Sequence, residues 1–325
     1  MTADLSENKS GGTTKCGLIS VLGAPNAGKS TLVNRLVGAK VSIVTQKVQT
    51  TRARITGIVV QDQTQLVLID TPGIFKPKRK LDRAMVGAAW DSLEGTDLAL
   101  LIVDAEAELL ERGIAKSDRR SVAGARKAHE DTKAIINTLN DRSGPKFLIL
   151  NKIDQAPRED LLALIAAISS EFQADETFLI SAANGDGVQD LLQALVTRMP
   201  EGPWLYPDDQ LSNISDRLMA AEVTREKIFL RLHQELPYES TVETEDWTRT
   251  KAGELRIDQT VYVSREGHKP IVLGKGGQTL KAIGEAARKE LTEIYGEKVH
   301  LFLHVKVREG WAEENARLRA LGLDV

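Results

Sequence analysis

The sequence is short of cysteine. Its 325 residues include one thiol, Cys16. A single thiol excludes an internal disulfide and a cysteine-based zinc site, and it fits a reducing compartment. No apolar run approaches the roughly 18 residues that a membrane-spanning helix needs. The opening MTADLSENKSGGTTK has no apolar core, so it does not read as a secretory signal. A strong charge of either sign is also missing: 43 Lys and Arg stand against 46 Asp and Glu. That balance excludes a bulk polycation and leaves room for a local basic face. No internal repeat or long low-complexity tract occurs. Apolar residues make up 42% and charged residues 27%, enough for the two globular cores that the length suggests.

Residues 1–15 are polar and rich in Gly, Ser and Thr, which predicts a disordered tail. Short apolar runs follow at Gly17–Leu22, Ile55–Val60, Leu66–Ile69, Leu98–Val103, Phe147–Leu150 and Thr177–Ile180. Between them lie helical stretches at Lys29–Val37, Lys80–Leu93, Ser121–Leu139, Arg158–Phe172 and Val188–Arg198. The alternation predicts an α/β domain over 16–200, a mostly parallel six-stranded sheet with helices on both faces. Glu106–Lys133 is rich in charge and Ala, and reads as an exposed helix after a loop, a solvated face without chemistry. Prolines 200, 203 and 207 and Gly202 then break the pattern, which predicts a linker over 201–216. The remainder, 217–325, reads as a small α+β domain. Ser215–Leu236 is a predicted helix, and Leu255, Ile257, Val261 and Val263 fall on one face of a strand. Leu280, Ile283, Ala287, Leu291 and Ile294 make one helical stripe, and Val299–Val307 alternates strictly.

Gly23-Ala24-Pro25-Asn26-Ala27-Gly28-Lys29-Ser30, followed by Thr31, fits G-x-x-x-x-G-K-[ST] between a strand and a helix, the context that a phosphate loop requires. Its glycines let successive N–H groups converge on phosphate oxygens, and the helix N-terminus adds positive potential. Lys29 supplies a point charge to the β- and γ-phosphates, and Ser30 supplies a hydroxyl ligand for Mg²⁺. Three further segments follow predicted strands, where ligands bind in open α/β sheets. In Asp70-Thr71-Pro72-Gly73 the carboxylate can hold Mg²⁺, directly or through water, and the Gly73 N–H can meet the γ-phosphate. In Asn151-Lys152-Ile153-Asp154 the last carboxylate matches the two N–H groups of guanine, a pair that adenine lacks. Ser181-Ala182-Ala183 can bring a backbone N–H to guanine O6. Together and in this order they identify a GTPase domain of the translation-factor class.

Such a domain closes a threonine on Mg²⁺ and the γ-phosphate. Gln49-Thr50-Thr51-Arg52 sits in the right loop; Thr51 is favoured and Thr50 is the alternative. Ras-like enzymes carry a water-orienting glutamine after the D-x-x-G glycine, and here that position is Ile74. Intrinsic hydrolysis is therefore expected to be slow or to use another element. Asn26 resembles the asparagine that helps some such GTPases hold K⁺ beside the phosphates; the alternative is that it shapes the turn. The predicted catalytic set is Asn26, Lys29, Thr51 and Gly73, with Ser30, Thr51 and Asp70 as metal ligands.

In the second domain Gly274-Lys275-Gly276-Gly277 has G-x-x-G form ahead of the amphipathic stripe, after an extended run. Such a loop lets N–H groups approach a nucleic-acid backbone, with Lys275 and Lys281 adding charge. Between Arg265 and Arg308 nine Lys and Arg face five Glu, with three His in the same stretch. The order helix, strands, G-x-x-G, helix, strand fits a type II KH module.

From about Cys16 to Asp324 these residues resemble the Era GTPases of bacteria. The resemblance rests on the motifs above together with Leu236-Pro-Tyr238 and Gly310-Trp311…Leu318-Arg-Ala-Leu-Gly-Leu323. It implies a P-loop G domain followed by a KH domain and a largely monomeric cytoplasmic protein, in part peripheral to the inner membrane. It also implies binding near the 3′ end of small-subunit ribosomal RNA, favoured by GTP, in service of 30S assembly. The rival classes are a P-loop kinase or ATPase, a tRNA-modification GTPase and a membrane-surface GTPase. Asn151–Asp154 speaks against the first, and the lack of terminal cysteine chemistry against the second. The third draws on the basic loop Lys76–Lys80, which is also simply a solvated loop.

Overall fold

A computed structural model describes residues 13–45, 47, 50–115, 121–232 and 235–323. Most of the predicted tail, Gln49 of the threonine motif, part of the charged stretch and Asp324 lie outside them. The N-terminal part runs β1 (Lys15–Gly23), α1 (Lys29–Val37), β2 (Ile55–Gln61), β3 (Thr64–Asp70), α2 (Lys80–Asp91), β4 (Leu98–Asp104) and α3 (Ala105–Glu111). It continues with α4 (Val122–Asn140), β5 (Lys146–Asn151), α5 (Leu161–Ser169), β6 (Glu176–Ile180) and α6 (Val188–Arg198). The strands order as β2-β3-β1-β4-β5-β6, with only the β2–β3 pair antiparallel. Continuous apolar runs such as Leu98–Val103 are buried throughout, as strands covered on both faces must be. Leu32, Val33, Leu191 and Leu195 of α1 and α6 pack on one face. Ile135, Ile136, Leu139, Leu164 and Ile168 of α4 and α5 pack on the other.

The C-terminal part runs α7 (Asp216–Arg231), β7 (Ser240–Arg249), β8 (Leu255–Val263), α8 (His268–Leu273), α9 (Gln278–Tyr295), β9 (Val299–Val307) and α10 (Asn315–Ala320). β8 is central, antiparallel to β7 and parallel to β9. The apolar stripe of α9, with Ile283, Ala287 and Leu291 buried, packs with α7 against one side of this sheet.

Several expectations are corrected. The run before the G-x-x-G loop is helical, not extended: α8 carries Pro270 in its first turn, where a missing N–H costs nothing. Lys15 belongs to β1 rather than to a tail. The predicted helix to Leu236 ends at Arg231, where Leu232 turns extended. Glu106–Lys133 is not one solvated face. It contributes part of α3, where Glu106 and Glu108 are buried, and much of α4. Glu108 accepts from Arg112 Nε at 2.9 Å and contacts His129 Nδ1 at 2.8 Å. The predicted linker is fastened to the sheet. Gln65 Nε2 donates to Tyr206 O at 2.8 Å, Ile58 N donates to Leu211 O at 2.9 Å, and Ser212 bridges Gly57. It covers the edge of β2, which would otherwise present unpaired backbone groups.

Candidate functional site

The loop between β1 and α1 turns on residues in unusual conformations. Gly28 sits at φ 100°, and a Cβ there would lie 2.1 Å from Asn151 Nδ2, so the position requires glycine. Asn26 adopts φ 65°, in the left-handed region that asparagine tolerates. Lys29 is buried and folds back to donate to Gly23 O at 3.1 Å and Ala24 O at 3.0 Å. Burial lowers its pKa to about 8, opposed by Asp70 and reinforced by Lys152. A phosphate would replace those weak carbonyl partners with full negative charge. Ala24, Pro25, Ala27 and Thr31 complete the loop and the first turn of α1.

Three oxygens meet beside Lys29. Ser30 Oγ donates to Asp70 Oδ2 at 2.7 Å and lies 2.9 Å from Thr51 Oγ1. Thr50 turns elsewhere, its hydroxyl 2.6 Å from Thr45 Oγ1 and donating to Lys47 O at 2.7 Å. The geometry thus brings Thr51, not Thr50, to the cluster. Asp70 is fully buried, and burial raises its pKa. Its Oδ1 has no partner among the described residues. A hard-oxygen set with an orphaned carboxylate oxygen fits Mg²⁺. Ser42, which sequence reasoning missed, donates to the same Asp70 Oδ2 at 2.6 Å. Thr71 Oγ1 donates to Val21 O at 2.7 Å, and Ile74 N donates to Gly23 O at 3.2 Å. Pro72 and Gly73 are buried between these two ties, beside the phosphate loop.

The segments after β5 and β6 converge on the same end of the sheet as the phosphate loop. Asn151 Nδ2 donates to Ala27 O at 2.8 Å, and its Oδ1 accepts from Ala182 N at 2.9 Å. Asn151 is therefore a staple between the phosphate loop and the turn after β6. Lys152 adopts φ 67° and donates to Asp104 Oδ2 at 2.7 Å. Asp154 is exposed after β5, Ser181 is buried, and Ala183 is exposed. Arg35 of α1 donates to the carbonyls of Ala182 and Ala183 and fixes that turn from below.

Next to Thr51, in the same motif, stands Arg52, to which the sequence assigned no role. Arg52 is fully buried and donates to Ser240 O at 2.8 Å, Tyr238 O at 3.3 Å and Pro237 O at 3.4 Å. Burial lowers its pKa to about 9, with the Arg225 charge adding to the effect. No local signal gives Arg52 its role, because its partners lie nearly two hundred residues along the chain.

In the C-terminal part the glycine loop projects into solvent. Gly274 (φ 72°) is locked against Thr279, whose Oγ1 would lie 2.1 Å from a Cβ. Gly276 and Gly277 face open space, and Lys275 and Lys281 are exposed beside them. The loop leads directly into α9, whose N-terminus faces the same way.

Two family models match the chain, one described as a 50S ribosome-binding GTPase over residues 18–152 and one as a KH domain over 235–312. The sequence is 52% identical over 311 residues to GTPase Era of Sinorhizobium medicae, covering 96% of this chain and 94% of that protein. It is equally similar to GTPase Era of Caulobacter vibrioides, at 52% over 311 residues, covering 96% and 97%. Two solved structures superpose with a TM-score of 0.83 at 35% identity, covering 96% of this chain and 100% of each match. One is an Aquifex aeolicus Era variant bound to GDP·AlF4⁻; the other is Era with MgGDPNP and nucleotides 1506–1542 of 16S ribosomal RNA.

Proposed function

The chain belongs to the Era family of GTPases, and from that premise we propose that it is a switch that binds the 3′ region of small-subunit ribosomal RNA and assists 30S assembly. The carrying observation is the pairing, in one chain, of the Ser30–Thr51–Asp70 oxygen cluster beside Lys29 with an exposed G-x-x-G loop. Era of known structure holds MgGDPNP and a 16S fragment together, which supports the same two ligands here.

In this reading Lys29 sets its charge against the β- and γ-phosphates, and the Gly73 N–H takes a γ-phosphate oxygen. Ser30, Thr51 and Asp70 hold Mg²⁺, which when bound neutralises charge developing on the phosphate oxygens. Asp154 accepts from guanine, and the Ala182–Ala183 backbone meets O6. Ile74 cannot orient water, so hydrolysis is slow, and Asn26 serves as a ligand for K⁺. A rate that rises when K⁺ replaces Na⁺ supports that role; equal rates remove it. Lys275, Lys281 and the glycine backbone take the RNA phosphates while unstacked bases lie alongside.

Crosslinking to RNA in cells, followed by sequencing of the trapped fragments, tests the partner; enrichment of any other RNA contradicts the reading. The protein is assigned to the cytoplasm as a monomer. Arg79 binds Glu239 at 2.5 Å and Lys80 binds Asn315 at 2.5 Å, so of the basic loop Lys76 and Lys78 remain for a peripheral lipid contact. Flotation with anionic vesicles tests that contact.

A further inference from the structure

The loop that carries Thr51 is tied to its own domain near its start, where Asn34 accepts from Val41 N and Ser42 N and Ser42 donates to Asp70. Its described backbone between α1 and β2 is irregular, so its polar groups need partners from outside. Two of these groups, Val44 N and Thr50 O, take side chains of α7, and two side chains of the loop reach the end of α7 and the turn that follows it. Val44 N donates to Glu226 Oε1 at 2.9 Å. Lys47 Nζ donates to the carbonyls of Phe229 and Leu232, the unsatisfied acceptors at the end of α7. Arg225 donates to Thr50 O while Glu222 grips the same guanidinium, with Arg225 Nε to Glu222 Oε1 at 2.7 Å. Arg52 spans three carbonyls of residues 237–240 and lies between two rings, 5.8 Å from the Phe229 centroid and 5.4 Å from that of Trp311.

On one side of Thr51 the Thr50 carbonyl, and on the other the Arg52 side chain, are thus held by the C-terminal domain. Its hydroxyl, pointing the other way, meets Ser30. We infer that Arg52 and Arg225 are positioning residues for GTP hydrolysis, which hold Thr51 at the Ser30–Asp70 cluster, so that the γ-phosphate side of the site is complete only while α7 lies against the loop. Chemistry accounts for arginine at both places. A planar fork with five donors can span several carbonyls and stack on aromatic faces, and a lysine can do neither. Two largely desolvated guanidinium groups are costly in a protein interior, and a loop serving only as a connector would not need them.

The inference rests on the functional reading above, and its test separates the two. Full-length Arg52→Lys and Arg225→Gln chains are compared with the wild type for Mg²⁺-dependent binding of a non-hydrolysable GTP analogue, for GDP binding and for kcat. With Thr51 closing on Mg²⁺ and the γ-phosphate as proposed, analogue affinity and kcat fall by about tenfold while GDP affinity holds. A cycle with Thr51→Ala supplies the second readout. If Arg225 acts through Thr51, the double variant binds the analogue no more weakly than Thr51→Ala alone. Additive losses, or parallel loss of GDP and analogue binding, would overturn the inference and leave the arginines as fold supports. A wild-type chain that neither binds nor hydrolyses GTP would overturn the functional reading and this inference with it.

Discussion

The two halves of the nucleotide pocket are built in opposite ways. The half that would hold the base is tied within its own domain: Asn151 joins the phosphate loop to the turn after β6, and Arg35 fastens that turn. The half that would sense the third phosphate leans on the other domain. Thr51 is flanked by contacts to Arg225 and to residues 237–240. The segment after Gly73 packs Phe75, Leu81 and Met85 against Trp311, Leu318 and Leu323. Trp311 meets both arms, stacking on Arg52 and joining that apolar cluster. On the proposed roles, a pocket of this kind would bind guanine through ties within its own domain and would couple the third phosphate to the second domain. That division is what a switch requires.

The largest effect should come from the self-contained half. Asp154→Asn should weaken GTP and GDP equally, by about a hundredfold or more, and admit xanthine nucleotides. Competition binding checks this, and a loss confined to GTP would break the comparison. Next in size, Gly277→Asp should lower affinity for the ribosomal RNA fragment by about tenfold by setting negative charge against the phosphate path. Hydrolysis without RNA should stay near wild type, because the loop touches neither half of the pocket. Ser42→Ala sharpens the contrast from the other side. Removing one hydrogen bond to Asp70 should raise the Mg²⁺ concentration for half-maximal hydrolysis by about three- to tenfold, with GDP affinity little changed.

The smallest effect concerns acid. Glu226 is buried against Lys40 and Lys227, which together hold its pKa below the usual carboxylate value despite desolvation. A carboxylate lowered on folding stabilises the folded state above its unfolded pKa, and this contribution is lost as pH falls through the folded value. The contact between the domains should therefore weaken only below about pH 4.5, the ordinary glutamate value. Thermal melts of Glu226→Gln and wild type should converge there and differ at neutral pH.

Much of this molecule can be read locally. The phosphate loop, the strands that precede each G motif and the stripe of α9 follow from short-range spacing, since strand–turn–helix geometry is set by neighbours in sequence. Thr51 and Thr50 are chemically alike in the sequence, and only the fold separates them. Arg52 stood in a recognised motif yet had no assignable role, because its partners belong to another domain. Ser42 lacks any pattern of its own. β7, with Glu243, Glu245 and Asp246 in its run, does not look like a strand, because only its first three residues are buried. The charged stretch misled because Glu108, nearly inaccessible, is compensated by Arg112 and His129 rather than by water.

Hydrogen–deuterium exchange on the full-length nucleotide-free chain tests the asymmetry most directly. In Arg225→Gln, peptides covering Thr50–Ala53 should lose protection relative to wild type. Peptides covering Gly23–Ser30 and Asn151–Asp154 should exchange as before. Unchanged exchange at Thr50–Ala53, or a loss spread equally over all three segments, would contradict the account.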